Sequence, residues 1–155
     1  MGDVETLKAL LERVQAAGPE HSPALDAHLI CALIAPAEAF VSLGPISGAP
    51  RICIGKMSDG RDRVWEPWLE WRLTHPTVSI DAAVLLVGRV LPGWSWEVRR
   101  SGFGTPAQAI LHDPMRQPAP GYDTRVDHPA GVPALALCAA LLSALIAQAE
   151  QGASR

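Results

Sequence analysis

Ser79-Ile80-Asp81-Ala82-Ala83-Val84-Leu85-Leu86-Val87, continued by Leu91-Pro92-Gly93-Trp94-Ser95-Trp96-Glu97-Val98, passes from one periodicity to another in a single short stretch. Ile80, Ala83, Val84, Val87 and Leu91 recur at spacings of three and four, which makes one stripe of a helix apolar. Thr77 or Ser79 can cap that helix, and Asp81 stands in the first turn, where the helix dipole favours a carboxylate. Pro92-Gly93 stops it. Trp94, Trp96 and Val98 then alternate with Ser95, Glu97 and Arg99, the period-two pattern of a half-buried strand, so both tryptophans are expected in the core. Ser101-Gly102-Phe103-Gly104 reads as a hairpin turn, with Ala107, Ala109 and Leu111 on the returning strand before Asp113-Pro114. A helix feeding an antiparallel hairpin implies an α+β fold, since the apolar faces of helix and hairpin must cover one another.

Working outward, Pro133-Ala134-Leu135-Ala136-Leu137-Cys138-Ala139-Ala140-Leu141-Leu142 opens a second apolar helix. At the other end Asp3 can cap a helix carrying Val4, Leu7, Leu10, Leu11 and Val14, which Gly18-Pro19 ends. Ser22-Pro23 starts the next, with serine as cap and Leu25, Leu29, Ala32 and Leu33 inward. Phe40–Leu43 and Ile52–Ile54 read as short strands flanking a Gly/Pro-rich turn, whereas Trp68-Leu69-Glu70-Trp71 does not alternate cleanly, which leaves a strand and a helical turn both open there. The expected organisation is one domain over 1–155. It holds two helices in 3–35, a strand-bearing region at 37–78, a helix at 79–91, a strand hairpin at 94–112, a proline-rich loop at 113–132 and a helix at 133–150. The sheet is expected to be small, mainly antiparallel and covered by helices in an α-β-α layering. Val84, Val87, Trp96, Leu135, Cys138 and Leu142 are expected to share its core. His75-Pro76 and His128-Pro129 each precede a major helix, with proline keeping the entry extended.

Bulk properties narrow the classes. With 48% apolar and 19% charged residues in 155, the chain can bury a core, and its net charge of -3 exerts no global pull on nucleic acid or anionic membrane. The longest apolar run, 132–147, is shorter than the roughly 20 residues of a membrane span, so a buried helix and no membrane partner are expected. Residues 2–5 lack the basic start of a signal peptide, and cytoplasmic residence is the expectation. Cys31, Cys53 and Cys138 are odd in number, widely spaced and set among apolar neighbours, which suits small buried hydrophobes better than a disulfide framework.

Three blocks carry a resemblance to a known family. They are Leu25-Asp26-Ala27 with Ile30 and Ala32-Leu33, then Ser79-Ile80-Asp81-Ala82-Ala83 with Leu91-Pro92-Gly93-Trp94, then Pro133 to Leu142. In this order they resemble the phage ABA sandwich domain group, small tailed-phage and prophage proteins. The resemblance implies an α-β-α layered domain of phage origin. The family has no established catalytic residues, so none is carried over, and Ala37 to Leu73 matches no block of it.

The chemistry-bearing residues do not assemble into an enzyme motif. None of His21, His28, His75, His112 and His128 makes the spacing that puts two metal ligands on one side of a helix or turn. His112-Asp113 and Asp127-His128 would meet only if the proline loop folds back, and their ordinary reading is loop polarity. Asp26 and Asp81 read as first-turn residues serving their helices. No enzyme activity, cofactor or metal is expected. Five tryptophans beside one tyrosine and two phenylalanines is an unusual allocation, and tryptophan is enriched at binding hot spots. Arg61, Arg63, Trp65, Trp68 and Trp71 are therefore the candidate protein-binding residues. The functional expectation is a non-enzymatic phage or prophage accessory protein in the host cytoplasm, bound to a protein partner such as a phage structural protein. Two alternatives accompany it: an inhibitor of a host anti-phage defence complex, and a weak nucleic-acid-binding module. The second would use the basic residues between Arg51 and Arg63 with the tryptophans as stacking platforms, although charge at a solvated hairpin edge also discourages strand-to-strand association.

Overall fold

The computed structural model describes residues 3–65, 75–100, 102, 104–115 and 123–153. Four helices lie among these residues: α1 (Val4–Ala16), α2 (Pro23–Leu33), α3 (Ile80–Val90) and α4 (Pro133–Ala153). The first three begin at side-chain caps visible in the sequence. Asp3 accepts from the Thr6 N–H, Ser22 from Leu25 and Ser79 from Ala82, each satisfying a donor that the helix start leaves open. Of the two cap candidates for α3, Ser79 serves, and Thr77 is buried instead.

The strands form two three-stranded antiparallel sheets. β1 (Ala39–Leu43), β2 (Pro50–Lys56) and β3 (Asp62–Val64) make one in that order; β4 (Ser95–Arg100), β5 (Ala107–His112) and β6 (Thr124–His128) make the other. The class is α+β with antiparallel pairing, as the sequence implies. The layering is more divided than one covered sheet: the first sheet packs on α2, α2 on α1, α1 on α4, and α4 on the second sheet. β6 lies inside the expected loop at 113–132. Its alternation of Thr124, Val126 and His128 with Arg125 and Asp127 holds one aliphatic residue, too weak a hydrophobic signal to stand out from a loop.

α4 is the centre of the core. It is long and apolar enough to cross a membrane by length and composition, but its buried residues run continuously from Ala134 to Leu142 and on through Ala144, Leu145 and Ile146. A helix apolar on all sides needs apolar surroundings, and here α1, α3 and the second sheet supply them. Val87, Leu135, Cys138 and Leu142 share this core, with Val84 packed against it. Trp96 does not join them and is 43% exposed. It pairs with the fully buried Leu111 on the same face, but β4 is an edge strand and α4 lies mainly over β5 and β6. Trp94 is the tryptophan of that pair that packs on the core. The turn into α4 depends on Gly131, whose φ is 66° and whose Cβ position would fall 2.7 Å from the Thr105 carbonyl oxygen.

Candidate functional site

The candidate binding residues separate in the structure. Trp65 is buried in the core beside Ile52, whose carbonyl accepts its N–H at 2.8 Å, so it fills space and offers no exposed anchor. Trp68 and Trp71 lie outside the described residues. Arg61 and Arg63 are both exposed. Arg61 lines a groove on the outer face of the first sheet, whereas strand alternation puts Arg63 on the face opposite Asp62 and Val64.

That groove, about 560 Å³, is shaped by register. Ser42 faces Arg51 and Cys53 faces Val64, which puts these four on one face, while Ile52 points into the core from the other. Cys53 forms the buried floor, where desolvation first and the Asp62 charge second push its thiol up. Ser42 Oγ donates to Asp62 at 2.7 Å and Lys56 Nζ lies 2.7 Å from the same carboxylate. Lys56 and then Ser42 hold Asp62 below its ordinary range. These bonds tie all three strands together across the groove. Leu43 (68% exposed), Ile46 (96%) and Met57 (47%) stand on its rim with Arg51, Lys56 and Arg61. Both hairpin tips are internally braced. Gly44 N–H donates to Ala49 and Gly48 N–H to Gly44, while Met57 N–H donates to Arg61 and Arg61 N–H to the Asp59 carboxylate. The exposed Ile46 and Met57 are thus presented on ordered turns.

A second cleft, of about 550 Å³, runs between α1, α2 and β1 and includes Arg13, His28, Cys31 and Phe40. Burial first, and the Arg13 charge second, keep His28 below its ordinary range.

His112, Asp113, Asp127 and His128 do not converge. His112 pairs with Asp123 at 2.8 Å on the outer face of the second sheet. His128 stands opposite Ala107, at the other end of β5, and points inward. Its Nε2–H donates to the Val14 carbonyl at 2.8 Å and its Nδ1 accepts from Ala130 N–H at 3.3 Å. That fully buried ring fastens α1 to the turn before α4.

One constellation went unrecognised in the sequence. Asp26, fully buried on α2, accepts the Thr77 N–H on Oδ1 at 2.9 Å. Its Oδ2 lies 2.7 Å from His21 Nε2 and 3.7 Å from His75 Nδ1. The two rings meet edge to face with centroids 4.5 Å apart. Beneath them Cys138 Sγ donates to the Pro76 carbonyl at 3.3 Å. Each residue is separately ordinary in the sequence; the only local hint was that Asp26 and His75 each adjoin a helix start. Comparison of the chain with protein-family models, with curated proteins and with solved structures finds no match.

Proposed function

We propose that this chain is a non-enzymatic protein-binding domain, and that its partner seats on the groove of the β1–β3 sheet. The observation that supports this most is the set of exposed apolar side chains Leu43, Ile46 and Met57 around a braced, basic-rimmed groove. Exposed apolar patches with polar rims mark association surfaces, and methionine and arginine are enriched at them. The rim chemistry suits a protein segment with apolar side chains flanked by carboxylates. The resemblance of the three sequence blocks to phage ABA sandwich proteins supplies the proposed setting, a phage or prophage accessory protein in its host. The net charge of -3 over 155 residues is too dilute for mimicry of nucleic acid, so an inhibitor of a defence complex would also have to act through this groove.

The test is affinity capture from infected or lysogenic cells, comparing the natural chain with Leu43→Asp/Ile46→Asp and with Arg61→Glu. A discrete protein partner retained by the natural chain and lost by the folded double variant is the expected result. Recovery of phage structural proteins assigns the accessory role, and recovery of a defence nuclease assigns the inhibitor role. Equal capture by all three proteins, or capture of none, refutes the groove as the binding surface.

A further inference from the structure

We propose that His21, Asp26 and His75 form a binding site for one zinc ion, independent of the sheet groove. The ligand atoms His21 Nε2, Asp26 Oδ2 and His75 Nδ1 all lie within 4.8 Å of one another. Tetrahedral Zn²⁺ with bonds of about 2.1 Å holds its ligand atoms about 3.4 Å apart. The separations of 2.7 and 3.7 Å about Asp26 Oδ2 bracket that value, so on the carboxylate side the ion requires each separation to change by less than about 1 Å, and it replaces the direct His21–Asp26 contact.

The surroundings are those of a built site. Asp26 is fully buried, and its second oxygen is already pinned by the Thr77 N–H, which aims Oδ2 at the two rings. Such outer partners orient metal ligands. The backbone bearing His75 is itself fixed. Its carbonyl accepts from Ser79 N–H at 2.8 Å and from Val78 N–H at 3.2 Å, and the next carbonyl accepts from Cys138. Thr77 Oγ1 is buried without a hydrogen-bond partner among the described residues, an orphaned hydroxyl next to the carboxylate's own anchor. The side chains of His21 and His75 are 35% and 53% exposed, so the ion has an entry path and a fourth position open to water. Two imidazoles and one carboxylate favour Zn²⁺ over the oxygen-seeking Mg²⁺ and Ca²⁺.

Calorimetric titration of the metal-free, full-length protein with ZnCl₂ tests this. One ion per chain with a Kd tighter than about 100 μM, unaffected by millimolar Mg²⁺, is expected; weaker or non-stoichiometric binding overturns the site. His21→Ala and His75→Ala should each weaken binding at least about tenfold, while His112→Ala leaves it unchanged. X-ray absorption on the zinc-loaded natural protein needs no variant. Two imidazoles in an all N/O shell support the assignment, and a sulfur ligand or fewer than two imidazoles refutes it.

Discussion

Replacing Asp26 by alanine should destabilise the fold through one particular bond. The carboxylate has three neighbours, but they are not equal. Thr77 is 2% exposed, and its N–H has Asp26 Oδ1 as acceptor at 2.9 Å. Stranding a buried donor costs about 1–3 kcal/mol. The His21 contact is shorter, at 2.7 Å, yet that ring is 35% exposed and water can take the place of the lost oxygen, so its loss adds no more than about 1 kcal/mol. Removing a buried carboxylate also relieves its desolvation, which offsets part of the loss. The net expectation for Asp26→Ala is about 1–3 kcal/mol, roughly 2–12 °C in Tm for a chain of this size. Asp26→Asn keeps an acceptor for Thr77 and should cost only about 1 kcal/mol. Urea unfolding followed by far-UV circular dichroism, in metal-free buffer, measures both. If Asp26→Ala falls within about 0.5 kcal/mol of the natural protein, the segment 75–79 is not held by this bond. If Asn costs as much as Ala, the charge facing the histidines matters more than the Thr77 acceptor, and the apportioning above is wrong.

Two further outcomes follow from burial. Trp65→Ala should cost about 3–5 kcal/mol as a core truncation, whereas the exposed Arg61→Ala should stay within about 0.5 kcal/mol; calorimetric unfolding of the two variants side by side checks this, and a stable Trp65→Ala would return that ring to the surface. Burial raises the Cys138 thiol above its ordinary 9.0, with the Asp26 charge adding to the shift. Below pH 9 both folded and unfolded thiols are protonated and the stability is fully present. Above it only the unfolded thiol ionises, so stability falls with rising pH by up to about 1.4 kcal/mol per unit. Cys31 and Cys53, also raised, act in the same direction. Urea midpoints from pH 8 to 10.5 should therefore decline less steeply in Cys138→Ala; identical slopes would remove Cys138 as a contributor.

Local order was legible in the chain because it is made locally. Asp3, Ser22 and Ser79 cap the helices that their sequence positions mark, since the acceptor and the open donor are three residues apart. The strand at Ala107, Ala109 and Leu111 shows itself by alternation alone, and α4 by an apolar run too uniform for a surface helix. Tertiary structure decided what no window contains. Trp96 alternates like a core residue, yet its burial depends on how far α4 reaches across β4. Trp65 sits in a charged, turn-rich neighbourhood, yet it is buried because β3 closes against Ile52. Asp26 reads as an ordinary first-turn carboxylate until the chain returns to present His75 and, 51 residues after Asp26, Thr77. Periodicity reports which side of an element is apolar, whereas the partner of a buried polar group is set by which elements pack together. Among the described residues, the one cluster with metal-ligand spacing, His21, Asp26 and His75, belongs to that second kind, and only the packed fold brings it into being.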